Sequence, residues 1–404
     1  MHGGFVSGEG ACGTDLPDRE VPEDSSTDRR SDAEAPILHL ASGVLPLVID
    51  DHPVLFVEAT QRLNALNGSA GMLVALLADG IGLADLRREL GGTLGLSAGQ
   101  VDALLVDWSA QRVISASAEA SLSPERRSVV LRAGTRDIAI VFPEGRWGRE
   151  LAAPYAHLPQ QQASDARVIA AELGGANDLV GIFDDRAGTL VAREGAAPAL
   201  RGMVVDLALE QADYIALHAA SLTVPDAGDD AAILLIGAPG AGKSTLATLA
   251  AVSPGPLRLA GDDIVLFDPR TGLAMGLPLP LTIKRGSWDR LAEVVPGFAD
   301  IAPILRADGQ WLRYAPLPSP AAPGWRRIAA IVDLRREDGA GAQLVAQSPV
   351  DCLGRLLEEG FVRGGRCTAA QMRALARMVD GARTCTLHYA EAGQALPVVE
   401  ALLA

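Results

Sequence analysis

Nine residues in the second half of the chain have the types and spacing of a phosphate-binding loop. The string GAPGAGKST, Gly237–Thr245, fits the pattern G-x-x-x-x-G-K-[ST] in full. It follows the apolar run Ala231–Ile236, which predicts a strand, and it leads into Lys243–Val252, which predicts a helix. Glycines let backbone N–H groups approach phosphate oxygens, and the positive end of the helix points at the same oxygens. The nine residues therefore predict a nucleotide site.

Every residue of this loop is a candidate phosphate ligand, and two of them carry further chemistry. Lys243 offers a mobile positive charge to the β- and γ-phosphates, and the Ser244 hydroxyl is a candidate ligand of Mg²⁺. The predicted cofactors are accordingly ATP and Mg²⁺. The other candidates are Gly237, Ala238, Pro239, Gly240, Ala241, Gly242 and Thr245.

Two adjacent carboxylates follow the loop at a distance that suits metal and proton chemistry. Asp262 and Asp263 come directly after the predicted strand Leu257–Ala260. A carboxylate at the end of a strand beside the loop can hold Mg²⁺, and a second one can accept a proton from an incoming hydroxyl. An Asp-rich surface turn is the alternative interpretation. The sequence predicts that both Asp262 and Asp263 are catalytic-site residues, one for the metal and one for the proton.

One histidine and three cations complete the set of candidates. His218 follows Arg201–Leu217, which we predict to be a buried helix, and it is either a core residue or a residue of the phosphate site. Lys284, Arg285 and Arg313 are candidates for binding phosphate or an acidic substrate. Surface salt bridges would explain the same three residues.

The elements around these residues predict an α/β fold, because strands alternate with helices through the last half of the chain. A β-rich segment precedes this core, with strands at Val129–Arg132, Asp137–Phe142 and Leu179–Phe183. The core itself has further predicted strands at Ile264–Phe267, Ile328–Leu334 and Thr384–Tyr389, a helix at Thr368–Val379 and a last helix that ends at Leu403.

The front of the chain predicts a small winged-helix-like module. Val44–Ile49 and Val54–Val57 form a hairpin pattern, and three helical patterns follow at Ser69–Ala78, Leu83–Leu90 and after the N-cap Ser97. We divide the chain into a disordered acidic tail at 1–35, this module at 36–115, a linker at 116–127 and a catalytic domain at 128–404. The phosphate-loop core begins at about residue 205.

Composition excludes several classes of partner. The net charge of −15 argues against a nucleic-acid backbone or an anionic membrane as the main partner. The four cysteines have no zinc spacing, which favours reduced thiols. No stretch reaches the roughly 18 apolar residues that a membrane helix needs, and the N-terminus does not resemble a signal peptide. We predict a cytoplasmic protein and leave a homo-oligomer open.

The string from His218 through GAPGAGKST to LAGDDIVLFD resembles the catalytic domain of the HPr serine kinase/phosphorylase family, over about residues 205–404. The resemblance implies a fold related to phosphoenolpyruvate carboxykinase, with phosphate and Mg²⁺ handled by Lys243 and Ser244. It implies that Asp262 is the favoured base for a substrate serine, that Asp263 helps with the metal and that His218 belongs to the site. The family's segment with a metal-binding Glu has no clear counterpart, and the nearest stretch, Thr282–Trp288, lacks a carboxylate.

The front module resembles PqqD-like proteins, which hold the leader peptides of ribosomally made, modified peptides. The string VEATQRLNALNGSAGMLVALLADGIGLADLRRELG, Val57–Gly91, carries this resemblance together with the helix that ends near Trp108. It implies that a leader peptide adds as a strand to an exposed sheet edge, here Val54–Val57, beside the helix Ser97–Ala110. A winged-helix scaffold for dimerisation or DNA is the alternative, and acidity counts against DNA.

Three functions are compatible with this sequence. The first is a kinase that phosphorylates a Ser or Thr of a lasso-type precursor peptide held by the front module. The second is a kinase of a small molecule or of another protein, with a purely structural front module. The third is a non-catalytic, nucleotide-gated module that presents a peptide to other enzymes.

Overall fold

The computed structural model describes residues 36–117, 126–160, 164–224, 231–306, 309–362 and 365–402. Within these ranges the chain is mixed α/β, with several separate sheets and no closed barrel. The acidic segment 1–35 and residues 118–125 of the predicted linker lie outside them. The strand before the linker extends to Ser117, two residues into the predicted linker.

The N-terminal part contains the predicted hairpin and the three predicted helices. Its third helix begins after Ser97, which forms a capping box with Gln100. The elements are β1 (Ile37–Leu40), β2 (Val44–Ile49), β3 (His52–Val57), β4 (Arg62–Ala65), α1 (Gly68–Ala78), β5 (Ile81–Gly82), α2 (Leu83–Leu94), α3 (Ala98–Ala110) and β6 (Ile114–Ser117).

Strand β4 changes the expected peptide site. The small sheet has the order β2-β3-β4, so that β3 pairs with a strand on each side. The expectation that Val54–Val57 is an open edge is therefore wrong. The sequence reading missed β4 because RLNA is short and half polar. In the described part of the chain the edges of this sheet are β2 and β4.

The middle part is the β-rich segment, and it ends in a long helix. Its strands β7 to β11 join β1, β5 and β6 in one eight-stranded sheet of order β5-β1-β6-β11-β10-β9-β8-β7. The elements are β7 (Ser128–Ala133), β8 (Arg136–Val141), α4 (Gly145–Ala152), β9 (Ala166–Gly174), β10 (Leu179–Phe183), β11 (Gly188–Ala192) and α5 (Ala196–Leu209).

The N-terminal and middle parts also share a hydrophobic core. Leu86 and Leu105 of α2 and α3 belong to the same buried cluster as Ile169 and Phe183 of the large sheet. A buried ion pair reinforces the junction, because Arg87 bonds both Asp102 and the carbonyl oxygen of Gly174. Removing the N-terminal part would therefore expose a core face of the remaining sheet.

The C-terminal part contains the phosphate loop. Its elements are β12 (Ile215–Leu217), β13 (Ala220–Thr223), β14 (Ala231–Ile236), α6 (Lys243–Val252), β15 (Arg258–Gly261), β16 (Val265–Asp268), β17 (Leu273–Gly276), β18 (Leu281–Lys284), α7 (Trp288–Val294), β19 (Ile304–Leu305), β20 (Trp311–Ala315), β21 (Arg327–Arg336), β22 (Gln343–Ala346), α8 (Pro349–Glu359), β23 (Gly360–Val362), α9 (Ala369–Asp380), β24 (Arg383–Tyr389) and α10 (Ala392–Glu400).

A six-stranded sheet of order β15-β13-β14-β21-β24-β22 forms the centre of this part. Strands β14, β21 and β24 are parallel. Helices α6 and α10 cover one face of the sheet, and α8 and α9 cover the other. The strand and helix on either side of the phosphate loop are present as predicted, and the loop lies at the carboxyl end of β14. The last helix ends at Glu400, earlier than predicted.

The predicted helix Arg201–Leu217 is wrong in its second half. Helix α5 ends at Leu209, and Ile215–Leu217 is strand β12, which lies between β16 and β23. A polar break at Glu210–Asp213 separates the two elements. All three residues of β12 are buried, as expected for a strand covered on both faces, and such an apolar run is hard to distinguish from a buried helix. His218 therefore follows a strand.

Candidate active site

The backbone of the phosphate loop has the conformation that its glycines permit. Gly237, Gly240 and Gly242 have φ values of +140°, +89° and +99°. Side chains rarely tolerate this region, so the three glycines are required for the turn. At Gly237 the neighbouring strand adds a second constraint, because a Cβ atom would lie 2.8 Å from the carbonyl oxygen of Leu334. The outer residues of the turn, Ala238 and Pro239, are exposed.

Lys243 lies at the start of α6 with its ammonium group inside the turn. Its Nζ donates a hydrogen bond of 2.5 Å to the carbonyl oxygen of Gly237, and the residue is buried. Burial lowers the pKa of Lys243, and the nearby carboxylates of Glu359, Asp262 and Asp263 oppose that shift. The ammonium is thus held where the loop would surround phosphate oxygens.

Two hydroxyl contacts fix the loop from outside. Tyr389 Oη donates to the carbonyl oxygen of Ala241 at 2.5 Å, and Thr245 Oγ1 lies 2.7 Å from Ser287 Oγ. Between these contacts lies a cleft of about 210 Å³ beside the loop. Two arginines line this cleft, Arg290 and Arg336, and the sequence reading named neither.

Asp262 directly faces the hydroxyl of the phosphate loop. Ser244 Oγ donates to Asp262 Oδ1 at 3.0 Å, and Asp262 is 1% exposed. Its second oxygen, Oδ2, is buried with no hydrogen-bond partner in the described structure. Burial, helped by the negative charge of Asp263, raises the pKa of Asp262 to about 6. A buried carboxylate oxygen without a partner next to a serine hydroxyl is a fitting position for a cation.

Asp263 is held on both of its oxygens by basic groups. His218 Nε2 lies 3.0 Å from Oδ1, and Arg201 Nη2 donates to Oδ2 at 2.5 Å. Burial alone would raise the pKa of Asp263, but the charge of Arg201 and the hydrogen bond from His218 outweigh it and lower the pKa well below its usual range. The backbone φ of Asp263 is +74°, in the left-handed region.

His218 connects this carboxylate to a third one. Its Nδ1 lies 2.8 Å from Glu359 Oε2, and its backbone N–H donates to the carbonyl oxygen of Glu359 at 3.1 Å. The hydrogen bond with Asp263 raises the pKa of His218, although burial opposes the shift. An imidazole between two carboxylates is stabilised in its charged form.

Glu359 and Arg201 were missed by the sequence reading. Glu359 is the last residue of α8, and it reaches the site because Gly360–Val362 pairs with β12. Arg201 comes from α5 and lies 62 positions before its partner Asp263. Neither residue belongs to a local motif. For Arg201 the one available signal was a charge in a helix predicted to be buried, and Glu359 lay in no predicted element.

The three downstream cations differ in their positions. Lys284 ends β18 close enough that its charge lowers the pKa of Lys243, and Arg285 begins the short helix whose Ser287 contacts Thr245. Arg313 is engaged elsewhere. Its guanidinium carbon lies 4.5 Å from the ring centre of Trp288 and 5.3 Å from that of Phe298. Its described contacts thus place it in the packing around α7 and not at the loop.

A larger cleft, of about 340 Å³, lies at the other end of β21 around Arg270, Arg327 and Arg377. Its lining includes none of the loop or carboxylate residues, so we assign the chemistry to the loop. In the described ranges no three His, Cys, Asp or Glu side chains cluster as metal ligands. Mg²⁺ in phosphoryl-transfer sites uses one or two carboxylates together with substrate phosphates, so such a cluster is not required.

Neither a protein-family model nor a curated protein sequence matches the chain. Among the residues that the structure describes, no helix has the length and apolar character to cross a membrane.

Proposed function

We propose that the protein is a kinase that transfers the γ-phosphoryl group of ATP to a Ser or Thr hydroxyl of a peptide. The observation that carries the proposal is the contact between Ser244 of a complete phosphate loop and Asp262, next to a second carboxylate, Asp263, that Arg201 and His218 hold on both oxygens. A site built only to bind a nucleotide needs the loop. It does not need Asp263 fixed beside it by Arg201 and His218.

Ser244 and Asp262 are the residues that would hold Mg²⁺. The partnerless Oδ2 of Asp262 and the Ser244 hydroxyl are both hard oxygen donors, which this ion prefers. Bound there, Mg²⁺ would neutralise charge on the β- and γ-phosphates. When ATP binds, the Lys243 ammonium would exchange its hydrogen bond to Gly237 for bonds to oxygens of the same phosphates.

Asp263 is the residue that we assign to the acceptor hydroxyl. In the transfer step the hydroxyl oxygen forms a bond to the γ-phosphorus, and the bond between that phosphorus and the β–γ bridging oxygen breaks. ADP leaves with the bridging oxygen, and the hydroxyl proton moves to the Asp263 carboxylate. A low pKa makes Asp263 a weak base, which suits a loose transition state in which the proton leaves late. Orientation of the hydroxyl is then its main task.

These roles reverse the division implied by the family resemblance, which favours Asp262 as the base. Asp262 is buried against Ser244 and bonded to it, whereas the side chain of Asp263 is 31% exposed. A base must reach the incoming hydroxyl, and a metal ligand must reach the loop serine. The contacts favour Asp263 for the first role and Asp262 for the second.

The small sheet β2-β3-β4 is the surface that we assign to the peptide. Of its two edges, β2 contains Pro46, which has no N–H, and the N–H of Val44 already donates to the carbonyl oxygen of Ala41. Both features leave β2 a poor template for another strand. Strand β4 is the better edge, and Leu63 on it is 58% exposed. We propose that an extended peptide adds to β4, with every second side chain beside Leu63.

The experiment uses the full chain, because the N-terminal part shares a core with the middle part. The protein is incubated with Mg·ATP and a candidate precursor peptide that contains Ser and Thr, and the peptide mass is measured. We expect a gain of one phosphoryl group, which Asp263→Asn should form far more slowly than the wild-type protein. Leu63→Glu should weaken the peptide's affinity, whereas Leu45→Glu, on the opposite edge of the same sheet, should not. No phosphoryl gain despite intact ATP binding would contradict the proposal.

Two other outcomes would identify the alternative functions. Phosphorylation of an acceptor at rates that Leu63→Glu leaves unchanged would indicate a kinase with a structural front module. Full pathway activity of Asp263→Asn and Lys243→Ala would indicate a nucleotide-gated binding protein.

A further inference from the structure

Arg201 is a buried charge with a specific partner. Within α5 it is the one charged residue among the buried positions, and it is 9% exposed. Its Nη2 donates to Asp263 Oδ2 at 2.5 Å, and its Nη1 donates to the carbonyl oxygen of Pro280 at 2.6 Å. Burying a guanidinium is costly unless both its charge and its hydrogen bonds are satisfied. The residue is therefore not an incidental surface ion pair.

The two bonds have a geometric consequence for Asp263. A carboxylate with one bonded oxygen can still rotate about its Cβ–Cγ bond, but Asp263 is bonded on both oxygens, by Arg201 and His218. Its backbone is in the left-handed region, which costs free energy at a residue other than glycine and persists only where surroundings enforce it. Arg201 is anchored at Pro280 and therefore acts as a fixed support.

The support comes from outside the phosphate-loop part of the chain. Helix α5 packs with Leu200, Val204 and Ala208 in the core below the eight-stranded sheet. Its register on that sheet sets the position of the guanidinium. The β-rich middle part, which the sequence predicted to be the front of the catalytic domain, thus supplies a residue to the site.

We infer that Arg201 is a positioning residue, which holds the Asp263 carboxylate in the orientation needed to receive the acceptor hydroxyl. This inference rests on the proposed function. The described hydrogen bonds of Arg201 go to Asp263 and to the carbonyl oxygen of Pro280, and none goes to a loop residue. We therefore expect it to support transfer without contributing to ATP binding. A misplacement of a reacting group by about 1 Å can lower a rate about 100-fold.

The test measures phosphoryl transfer from ATP with water in place of the acceptor. In that reaction a water oxygen bonds to the γ-phosphorus, ADP leaves, and phosphate is released. For Arg201→Ala we expect kcat to fall about 100-fold with KM for ATP unchanged. Millimolar guanidinium ion should restore part of kcat, because it can occupy the space beside Asp263. Arg201→Lys keeps the positive charge, so its kcat should lie between those of the wild-type protein and Arg201→Ala. It replaces Arg201→Ala in the test if that variant does not fold.

Arg87→Ala is the matched control. It breaks another Arg–Asp pair, in which Asp102 is fully buried and Arg87 is 21% exposed, and its described partners include no loop residue. It should lower the melting temperature, leave kcat unchanged and show no response to guanidinium ion. The inference is overturned if Arg201→Ala keeps the wild-type kcat, or if kcat falls with no rescue and KM rises equally. If the wild-type protein hydrolyses no ATP, the same variants are compared with the peptide as acceptor. A wild-type protein that phosphorylates no peptide would instead count against the proposed function.

Discussion

Glu359 Oε2 lies 2.8 Å from His218 Nδ1, although 141 positions separate the two residues in the chain. The pairing of β23 with β12 brings them together, and it converts a histidine next to one aspartate into a histidine between two carboxylates. Three acidic side chains, Glu359, Asp262 and Asp263, therefore act on the loop lysine Lys243.

The first prediction concerns this histidine. Glu359→Gln removes one of the two negative charges and should lower the pKa of His218, which its carboxylate partners hold above the usual value. A histidine whose pKa is higher in the folded protein than in the unfolded chain stabilises the fold. This stabilisation is complete below the pKa of the unfolded chain and is lost as pH rises through the pKa of the folded protein. The variant should thus lose stability mainly below pH 6.5. An NMR titration of the histidine ring, assigned with His218→Gln, measures the shift. An unchanged pKa would show that Glu359 is not coupled to His218.

The second prediction separates stability from function at Asp262. Its folded pKa of about 6 lies above the ordinary 3.8, so the folded state holds the proton more tightly. The contribution of Asp262 to the free energy of unfolding is therefore most favourable below the ordinary pKa, and it is lost as pH rises through about 6. Asp262→Asn should therefore be the more stable protein at pH 8, by on the order of 3 kcal/mol. The advantage should vanish near pH 4.

Thermal unfolding of both proteins with a metal chelator measures the difference. A stability difference that stays constant from pH 4 to pH 8 would contradict the assigned burial of an ionised carboxylate. Mg²⁺ together with ATP should stabilise the wild-type protein more than the variant, because the variant lacks the carboxylate that would face the ion.

The third prediction concerns the outer support of the loop. Gly242 has a φ of +99°, and a Cβ atom there would lie 2.4 Å from Tyr389 Oη. Gly242→Ala should therefore be destabilising both through backbone strain and through this contact. Tyr389→Phe alone should cost about 1 kcal/mol or somewhat more, because it leaves the carbonyl oxygen of Ala241 without its donor. Combined, the two changes should cost less than their sum.

A double-mutant cycle from urea unfolding tests that coupling. Additive effects would show that the tyrosine hydroxyl does not restrict the loop. Val129→Ala, at a buried position away from the loop, provides the control. Its effect on the free energy of unfolding should add to that of Tyr389→Phe without coupling.

The fourth prediction concerns Lys243. Lys243→Ala removes the ammonium that lies inside the loop, so that the rate of phosphoryl transfer should fall at least about 100-fold. The thermal stabilisation by Mg·ATP should fall with it. Thr248→Ala offers a control in the same helix, since its hydroxyl bonds the carbonyl oxygen of Ser244 without facing the loop. Equal rates of phosphoryl transfer for the wild-type protein and Lys243→Ala would show that the loop takes no part in the reaction.

The local parts of the site could be predicted from the sequence, and the reason is physical. A phosphate loop depends on glycines at fixed spacing between one strand and one helix, so nine consecutive residues contain the information. The helix N-caps at Ser97 and Thr368 are equally local. The non-local parts could not be predicted. Arg201 and Glu359 reach the site through helix packing and strand pairing, and no short motif encodes either.

Errors arose where an apolar run fits two structures. Ile215–Leu217 is buried on both faces, so the pattern does not distinguish a strand from a buried helix. The short strand β4 was not predicted for a different reason. Its residues Arg62 and Asn64 are polar and mask the strand pattern, although the residues of β3 with which they pair are apolar. Its omission left β3 as an apparent edge. The division of roles between Asp262 and Asp263 also depended on which one faces Ser244, a contact that sequence order does not reveal.

We propose that Asp263, oriented from two sides, serves the acceptor hydroxyl, while Asp262 serves the metal. Single-turnover phosphoryl transfer to the precursor peptide at varied Mg²⁺ tests this claim most directly. Asp262→Asn should require more Mg²⁺ for half-maximal rate. Asp263→Asn should have a far lower rate of phosphoryl transfer, with the same dependence on Mg²⁺ as the wild-type protein. The opposite pattern, or two variants that behave alike, would contradict the account.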